Sequence, residues 1–190
     1  NSTDTTLQVA KKYGVRVITE ERTKNGIGYG FAHISGIKAA TGDIIVACDS
    51  DGQHPLKELA TMIDLLLDEG ADFISCSRYH KQHIAKIPVK LRIGVSALNM
   101  EVRVLYGVKI RDILSGMWVF KRSIRTKLQL TEGDWNLSPQ IKINAATHPK
   151  IVFREFPIEQ KQREGTSHQN YVSSGVRHAW WIAKNRIKRG

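Results

Sequence analysis

The segment IIVACDSDGQHP (44–55) sets two carboxylates, Asp49 and Asp51, one residue apart directly after an apolar run. In an extended chain residues i and i+2 point the same way, so both carboxylates would aim at one point. Like charges held that close repel unless a cation lies between them. Two carboxylates are too few for a closed protein cage. They suit Mg2+ or Mn2+, which takes its remaining ligands from water and a diphosphate. The side-chain carbonyl of Gln53 can join Asp49 and Asp51 in such a set. A cation there would act as a Lewis acid on a leaving nucleoside diphosphate. The plain alternative is a surface turn, where Asp and Gly are common, but the position after a buried-looking strand favours the metal.

Phosphate chemistry also needs cations from the protein. Arg78 falls at a strand end, Arg92 begins a helix with Ser96 one turn later, and Arg163 lies in the loop QREGTSH. Singly, each reads as a solvated surface residue. Brought to one place, their fork geometry would make a phosphate clamp. NGIGYG (25–30) lacks the Lys-Ser/Thr of a P-loop and the spacing of a dinucleotide fingerprint, so it reads as a turn. The histidines show no ligand spacing with cysteine or each other. Trp180 and Trp181, followed by Lys184, Arg186, Lys188 and Arg189, fit either core packing with a basic tail or a helix at an anionic bilayer.

The elements that must position these groups follow from periodicity. Helices are expected at 5–13, 31–41, 56–68, 89–106, 135–146 and 171–189, and strands at 15–19, 44–48, 71–78, 117–122 and 151–158. In the third helix Leu59, Met62, Ile63, Leu66 and Leu67 share one face. Alternating strands and helices predict an α/β fold with a mainly parallel sheet covered on both faces. Ligands in such sheets sit beyond the carboxyl ends of the strands, where Asp49, Asp51 and Arg78 fall.

At 190 residues the chain suits one domain spanning 1–190. Its hydrophobic content of 41% is that of an ordinary globular protein. No stretch reaches the roughly 18 apolar residues of a membrane span. Cys48 and Cys76, in apolar surroundings, read as reduced, cytoplasm-facing thiols. The net charge of +11 predicts a polyanionic partner: nucleic acid, an anionic membrane or a phosphorylated substrate. Aromatics among basic residues fit nucleic acid too, but no nucleic-acid-binding motif is present.

Taken together, NGIGYGFAHISGIKAATGDIIVACDSDGQHP, SRY (77–79), Arg92 with Ser96, DILSGMWVFKR (112–122) and QREGTSH (162–168) resemble the family-2 glycosyltransferases of GT-A fold. The likeness is closest to the polyprenyl-phosphate (dolichol-phosphate) mannosyl- and glucosyltransferases. It implies a Rossmann-like nucleotide-sugar fold whose first strand, helix and second strand are absent here, a chain cut at both ends, and membrane spans after RIKRG. It implies inverting transfer of a hexose from a nucleotide-diphospho-sugar to a polyprenyl phosphate at the cytoplasmic face of a membrane. Asp49, Asp51 and Gln53 would hold the metal and donor diphosphate. Arg78, Arg92, Ser96 and Arg163 would bind the phosphates of donor and acceptor, with Asp51, Arg92 and Arg163 nearest the chemistry.

Two departures stand out. The family carries an acid near the start of the helix LSPQIKINA, where this chain has Pro139 and Gln140, and lysine where His168 stands. His168 retains phosphate-binding capacity with a pH-dependent charge. A sugar-hydroxyl nucleophile needs a carboxylate base, whereas a phosphate monoester is already anionic. The rival readings are a family-2 transferase acting on a sugar hydroxyl in surface polysaccharide, and a non-catalytic basic module binding membrane or nucleic acid.

Overall fold

Side chains alternate across a strand, and in this chain the alternation feeds two separate cores. The computed structural model describes residues 4–79, 87–159, 161 and 171–189. The elements run α1 (Thr6–Lys12), α2 (Tyr29–Ala39), β1 (Ile44–Ala47), α3 (Leu59–Leu67), β2 (Phe73–Ser77), α4 (Val89–Tyr106), β3 (Trp118–Lys121), α5 (Leu137–Thr147), β4 (Phe153–Pro157) and α6 (Tyr171–Ile187). Phe73, Trp118 and Phe120 point to one face of the sheet, against Ile34 and Ile37 of α2 and Leu137, Ile141 and Ala145 of α5. Ile74, Cys76 and Val119 point to the other, against Met62 and Leu66 of α3. Each fully buried side chain of this size contributes about 1.5–3 kcal/mol. A third core joins α4, α5 and α6 through Leu98, Val102, Ile143 and Ile182.

The sheet order is β1-β3-β2-β4. β3 pairs antiparallel with β1 and β2, while β4 pairs parallel with β2. The expected mainly parallel sheet therefore holds for the sense of β1, β2 and β4, with β3 inserted the other way. β1 lies at an edge, and its Val46 is exposed while Ile45 and Ala47 are buried. The continuous apolar run, expected as a buried strand, turns one side chain, Val46, to the outside.

Residues 15–19 form no strand, and Val15, Val17 and Ile18 are exposed. An apolar, β-branched segment becomes a strand only when a neighbour takes up its backbone hydrogen bonds, and among the described residues none does. Leu67 is likewise exposed, because the stripe of α3 closes at Leu66. Cys76 is buried, but Cys48 is exposed, one residue past the edge strand, which corrects its expected apolar setting.

Helix α5 runs through the middle, and every residue from Leu137 to Ala145 is buried. Pro139 falls in its first turn, where no intrahelical N–H is required. Two of its buried polar side chains serve loops: Asn144 Nδ2 donates to the Leu128 carbonyl at 2.6 Å, and Lys142 Nζ to the Asp112 carbonyl at 2.8 Å.

Candidate active site

The turn after β1 is built from its own side chains. Asp51 Oδ1 accepts the Gln53 backbone N–H at 3.1 Å, an Asx turn. The Asp49 N–H donates to Nδ1 of the buried His54 at 2.9 Å. Gln53 pairs with Lys161, its side-chain Nε2 donating to the Lys161 carbonyl at 3.3 Å and its backbone carbonyl accepting the Lys161 N–H at 3.0 Å. Although Cys48 reaches the surface, the protein around its thiol partly desolvates it and raises its pKa, and Asp49 and Asp51 raise it further, which places the two carboxylates beside one group.

An aromatic wall backs this turn. The ring of Tyr29 lies 4.5 Å from both His33 and Trp135, and its hydroxyl is 3.3 Å from Ser138 Oγ. His33 Nε2 lies 3.9 Å from Asp49 Oδ1. Burial, then the nearby His54, lowers the His33 pKa to about 4, so at neutral pH this contact joins a carboxylate to a neutral ring. Gly116 closes the wall: a Cβ there would sit 3.0 Å from the Tyr29 hydroxyl and 3.3 Å from Asp49 Oδ2.

The same tyrosine links the acidic turn to the arginines. Burial raises the Tyr29 pKa, Asp49 raises it further, and Arg78 opposes them. Arg78 follows β2 and grips Asp112, with Nε to Oδ2 at 2.7 Å and Nη2 to Oδ1 at 2.8 Å. Burial works against both charges, but the pair more than offsets it: Arg78 is raised and Asp112 lowered. Tyr79 adjoins this pair. Burial and Asp112 raise its pKa to about 12, against Arg78 and Arg92. Arg92 is in the first turn of α4, and its Nε is buried with no hydrogen-bond partner among the described residues. Ser96 follows one turn on, exposed. Tyr29 thus senses both Asp49 and Arg78, while Tyr79 senses Arg78, Arg92 and Asp112. Arg163 and His168 lie outside the described residues.

NGIGYG is not a phosphate cradle. The N–H groups of Gly30 and Phe31, which open α2, both donate to the Gly133 carbonyl, at 2.9 and 3.2 Å. Gln140 explains itself in the same place. Its Oε1 accepts the N–H groups of Thr131 and Glu132 at 2.8 and 2.9 Å, and its Nε2 donates to Thr131 Oγ1 at 2.8 Å. The amide is a clamp on the loop that caps α2.

Residue types alone did not single out Tyr29, His33, His54, Asp112 or Lys142. Asp112 opens DILSG and His54 closes DGQH, so each was adjacent to a motif without a visible partner. Lys142 is fully buried, and burial lowers its pKa to about 7 against the pull of Asp112.

Behind the site, His178 of α6 is buried with Nδ1 2.8 Å from Asn136 Oδ1. Burial lowers its pKa to about 4. The unfolded chain takes up that proton near pH 6.5 and the folded one only near pH 4. Stability is therefore full above 6.5 and falls as pH drops between these values. The expected loss from His178 is on the order of 2–3 kcal/mol by pH 4. Denaturant unfolding at pH 7 and 4 measures it, and His178→Gln should flatten the slope; an unchanged slope would exclude His178 as its source.

Asp49, Asp51 and Gln53 offer hard oxygen donors only, and no cluster of three or more His, Cys, Asp or Glu exists among the described residues. This set fits a divalent cation shared with a phosphorylated ligand rather than a closed structural site.

The family model for glycosyl transferase family 2 matches residues 1–128. The chain is 29% identical over 175 residues to the dolichyl-phosphate hexose transferase of Haloferax volcanii, covering 92% of this chain and 73% of that protein. It is 29% identical over 182 residues to the dolichol-phosphate mannosyltransferase of Pyrococcus furiosus, covering 93% and 50%. A low-salt glycan biosynthesis hexosyltransferase of Haloferax volcanii is 26% identical over 187 residues, covering 97% and 44%. The chain thus spans about half the length of the last two relatives. Among solved structures, glucosyl-3-phosphoglycerate synthase from Mycobacterium tuberculosis, in complex with Mn2+ and UDP-glucose, matches with a TM-score of 0.63 at 21% identity, covering 98% of this chain and 65% of that one. That likeness is one of fold, the expected GT-A architecture. With the family match running from the first residue through β3 and enclosing Asp49, Asp51, Arg78, Arg92 and Asp112, the chain belongs to glycosyl transferase family 2.

Proposed function

We propose that this chain is the catalytic part of an inverting transferase that moves a hexose from a nucleotide-diphospho-sugar to a polyprenyl phosphate. The observation that carries this reading is Tyr29 set between Asp49 of the two-carboxylate turn after β1 and Arg78 at the end of β2. Asp49, Asp51 and Gln53 would hold Mg2+ or Mn2+, which supplies positive charge to the departing diphosphate. Arg92, with Ser96 and Arg163, would take the acceptor phosphate, and the Nε of Arg92, buried without a partner among the described residues, is a donor that such an oxygen would satisfy. An acceptor oxygen attacks the anomeric carbon on the face opposite the nucleotide. The bond to the diphosphate breaks as the new one forms, so the configuration inverts.

The acids near Gln140 favour a phosphate over a hydroxyl acceptor. Glu132 pairs with Lys24, and the buried Asp134 accepts the Asn136 N–H at 2.9 Å and an amide hydrogen of Asn25 at 3.4 Å. Both are engaged away from base duty, and a phosphate monoester needs no base. The names of two relatives, a dolichyl-phosphate hexose transferase and a dolichol-phosphate mannosyltransferase, support the same acceptor class.

The test is the complete gene product incubated with nucleotide-diphospho-sugars, Mn2+ or Mg2+, and a polyprenyl phosphate. Mass spectrometry should detect the lipid-phospho-sugar, and NMR its inverted anomeric centre. Transfer to a soluble glycan with none to lipid phosphate would overturn the assignment.

The acceptor is a membrane lipid, and two helices carry faces that suit its surface. Val89, Ile93, Met100 and Val104 on α4, and Val172, Val176, Trp180 and Ile187 on α6, are 56% to 80% exposed. On each helix they form a stripe opposite the buried face. Arg103, Arg177, Lys184 and Arg186 flank them, exposed. No helix among the described residues is long and apolar enough to cross a membrane, so these stripes would lie on the cytoplasmic-face lipid rather than through it. Each basic side chain near an anionic surface is worth about 1 kcal/mol. Lys184→Ala with Arg186→Ala should weaken binding to phosphatidylserine vesicles about 30-fold; equal flotation of variant and wild type would remove α6 from the interface.

A further inference from the structure

The acidic turn is closed by two side chains, and only one of them is independent of its carboxylates. Asp51 Oδ1 accepts the Gln53 N–H at 3.1 Å, so a cation arriving at Asp51 would draw on the same carboxylate. The other closure is made by His54, whose Nδ1 accepts the Asp49 N–H at 2.9 Å from five residues further along the chain.

The strand explains why an acceptor is needed there. β1 ends at Ala47, which pairs with Trp118, and the ladder with β3 stops at that pair. The amide of Asp49 lies beyond it and must find a partner elsewhere. Gly52, at φ +75°, reverses the chain in a left-handed conformation that suits glycine. Pro55 disfavours a helical backbone at His54, and both residues are buried. The imidazole thus reaches the main chain just past β1 from a buried position. A backbone N–H donating to Nδ1 leaves no place for a proton on that nitrogen, so the ring is neutral with its proton on Nε2.

Asp49 is therefore met by two histidines at different points. His33 Nε2 lies 3.9 Å from its carboxylate, and His54 holds its amide. Holding the amide fixes the backbone from which the Asp49 side chain departs. Two carboxylates chelate a cation tightly only when both are aimed beforehand, because ordering a free loop on binding costs affinity. An apolar side chain could fill the space of His54, but only an acceptor there satisfies the Asp49 N–H.

We propose that His54 is a positioning residue: by accepting the Asp49 N–H at Nδ1 it holds the acidic turn in the form that receives a divalent cation. It acts through the main chain and need not touch the cation. This inference rests on the metal reading of Asp49, Asp51 and Gln53 given above and adds a residue outside that set.

Two substitutions in the complete gene product separate the acceptor from the bulk of the ring. His54→Asn keeps an acceptor near the place of Nδ1 and loses the ring, whereas His54→Phe keeps a ring and loses the acceptor. Mn2+ titration followed by electron paramagnetic resonance, with and without inorganic pyrophosphate, reads affinity, and thermal unfolding reads stability. His54→Phe should weaken Mn2+ binding about tenfold, as loss of a partner just behind a metal's own ligands does, while His54→Asn should stay within about twofold of wild type. The melting temperature should not follow that order, because His54→Asn leaves a cavity. A ring that serves packing alone predicts otherwise: His54→Asn would be the weaker binder, or both variants would bind as wild type does. If His54→Phe does not fold, His54→Gln, whose acceptor lies one bond further out, takes its place, and wild-type affinity there overturns the proposal. Nitrogen NMR of the unaltered protein is a check that needs no variant. At neutral pH it should show a bare Nδ1 and a protonated Nε2 on His54, and a proton on Nδ1 would overturn the assignment. Unaltered protein that binds no Mn2+ under either condition would overturn the metal reading as well, whereas tight binding that persists in His54→Phe would remove His54 alone.

Discussion

Asp51→Asn is expected to reduce hexose transfer at least ~10^3-fold while leaving the fold intact, an increase in barrier of about 4 kcal/mol. Asparagine keeps the side-chain oxygen that accepts the Gln53 N–H, so the turn after β1 survives. What disappears is one of the two charges that would offset a divalent cation, and with it the means of neutralising a departing diphosphate. The companion readout is metal binding itself: Mn2+ titration followed by electron paramagnetic resonance should show affinity falling by at least tenfold, independently of any turnover. Removing the metal from the unaltered protein with a chelator should abolish transfer, and adding back Mn2+ or Mg2+ should restore it. Full metal-dependent transfer by Asp51→Asn would show that the carboxylate pair has another purpose.

Gly30→Ala is the other large effect, and it acts on stability. Helix α2 enters directly beneath the loop 131–134, and a Cβ on Gly30 would stand 2.1 Å from the Glu132 carbonyl oxygen, 2.6 Å from Gly133 C and 2.8 Å from the Asp134 carbonyl oxygen. All three atoms are backbone, so no rotamer change relieves the overlap. The loop cannot retreat cheaply, because Gln140 holds it from the opposite side and its Gly133 carbonyl caps the first N–H groups of α2. The expected loss is about 3 kcal/mol or more, from overpacking and the broken cap together. Gly36→Ala in the same helix is the control: nothing lies within 4 Å of its Cβ position. That substitution should stabilise by ~0.5–1 kcal/mol through helix propensity. Urea unfolding of the three proteins separates the cases, and equal midpoints for Gly30→Ala and wild type would mean that the α2 entrance is looser than described.

The two experiments probe different layers of one arrangement. The acidic turn needs Tyr29 and His33 behind it, both on α2, and α2 is oriented by the loop that Gln140 clamps. A loss of packing at Gly30 should therefore reach the acidic turn as well, whereas Asp51→Asn should leave the unfolding midpoint close to that of the wild type.

Much of this was determined by the sequence alone, and for a local reason. The bounds of α4, the apolar strand running into Asp49 and Asp51, and the alternation that loads both faces of β2 and β3 all depend on the period of a helix or strand, which is written in consecutive residues. The motifs DGQHP and DILSG were visible as motifs for the same reason. The tertiary structure decided what depends on a distant partner. Residues 15–19 have strand composition but no neighbour among the described residues to bond with, and β1 is an edge because among the described residues β3 alone pairs with it. Arg78 looked solvated until Asp112, 34 residues on, closed around it. Gln140 looked like a missing acid until its amide was seen holding the Thr131 and Glu132 backbone. A side chain's type says what it can donate or accept. Whether it is spent on the backbone, on another charge or on a ligand is settled only when the chain has folded and desolvation forces each buried polar group to find a partner.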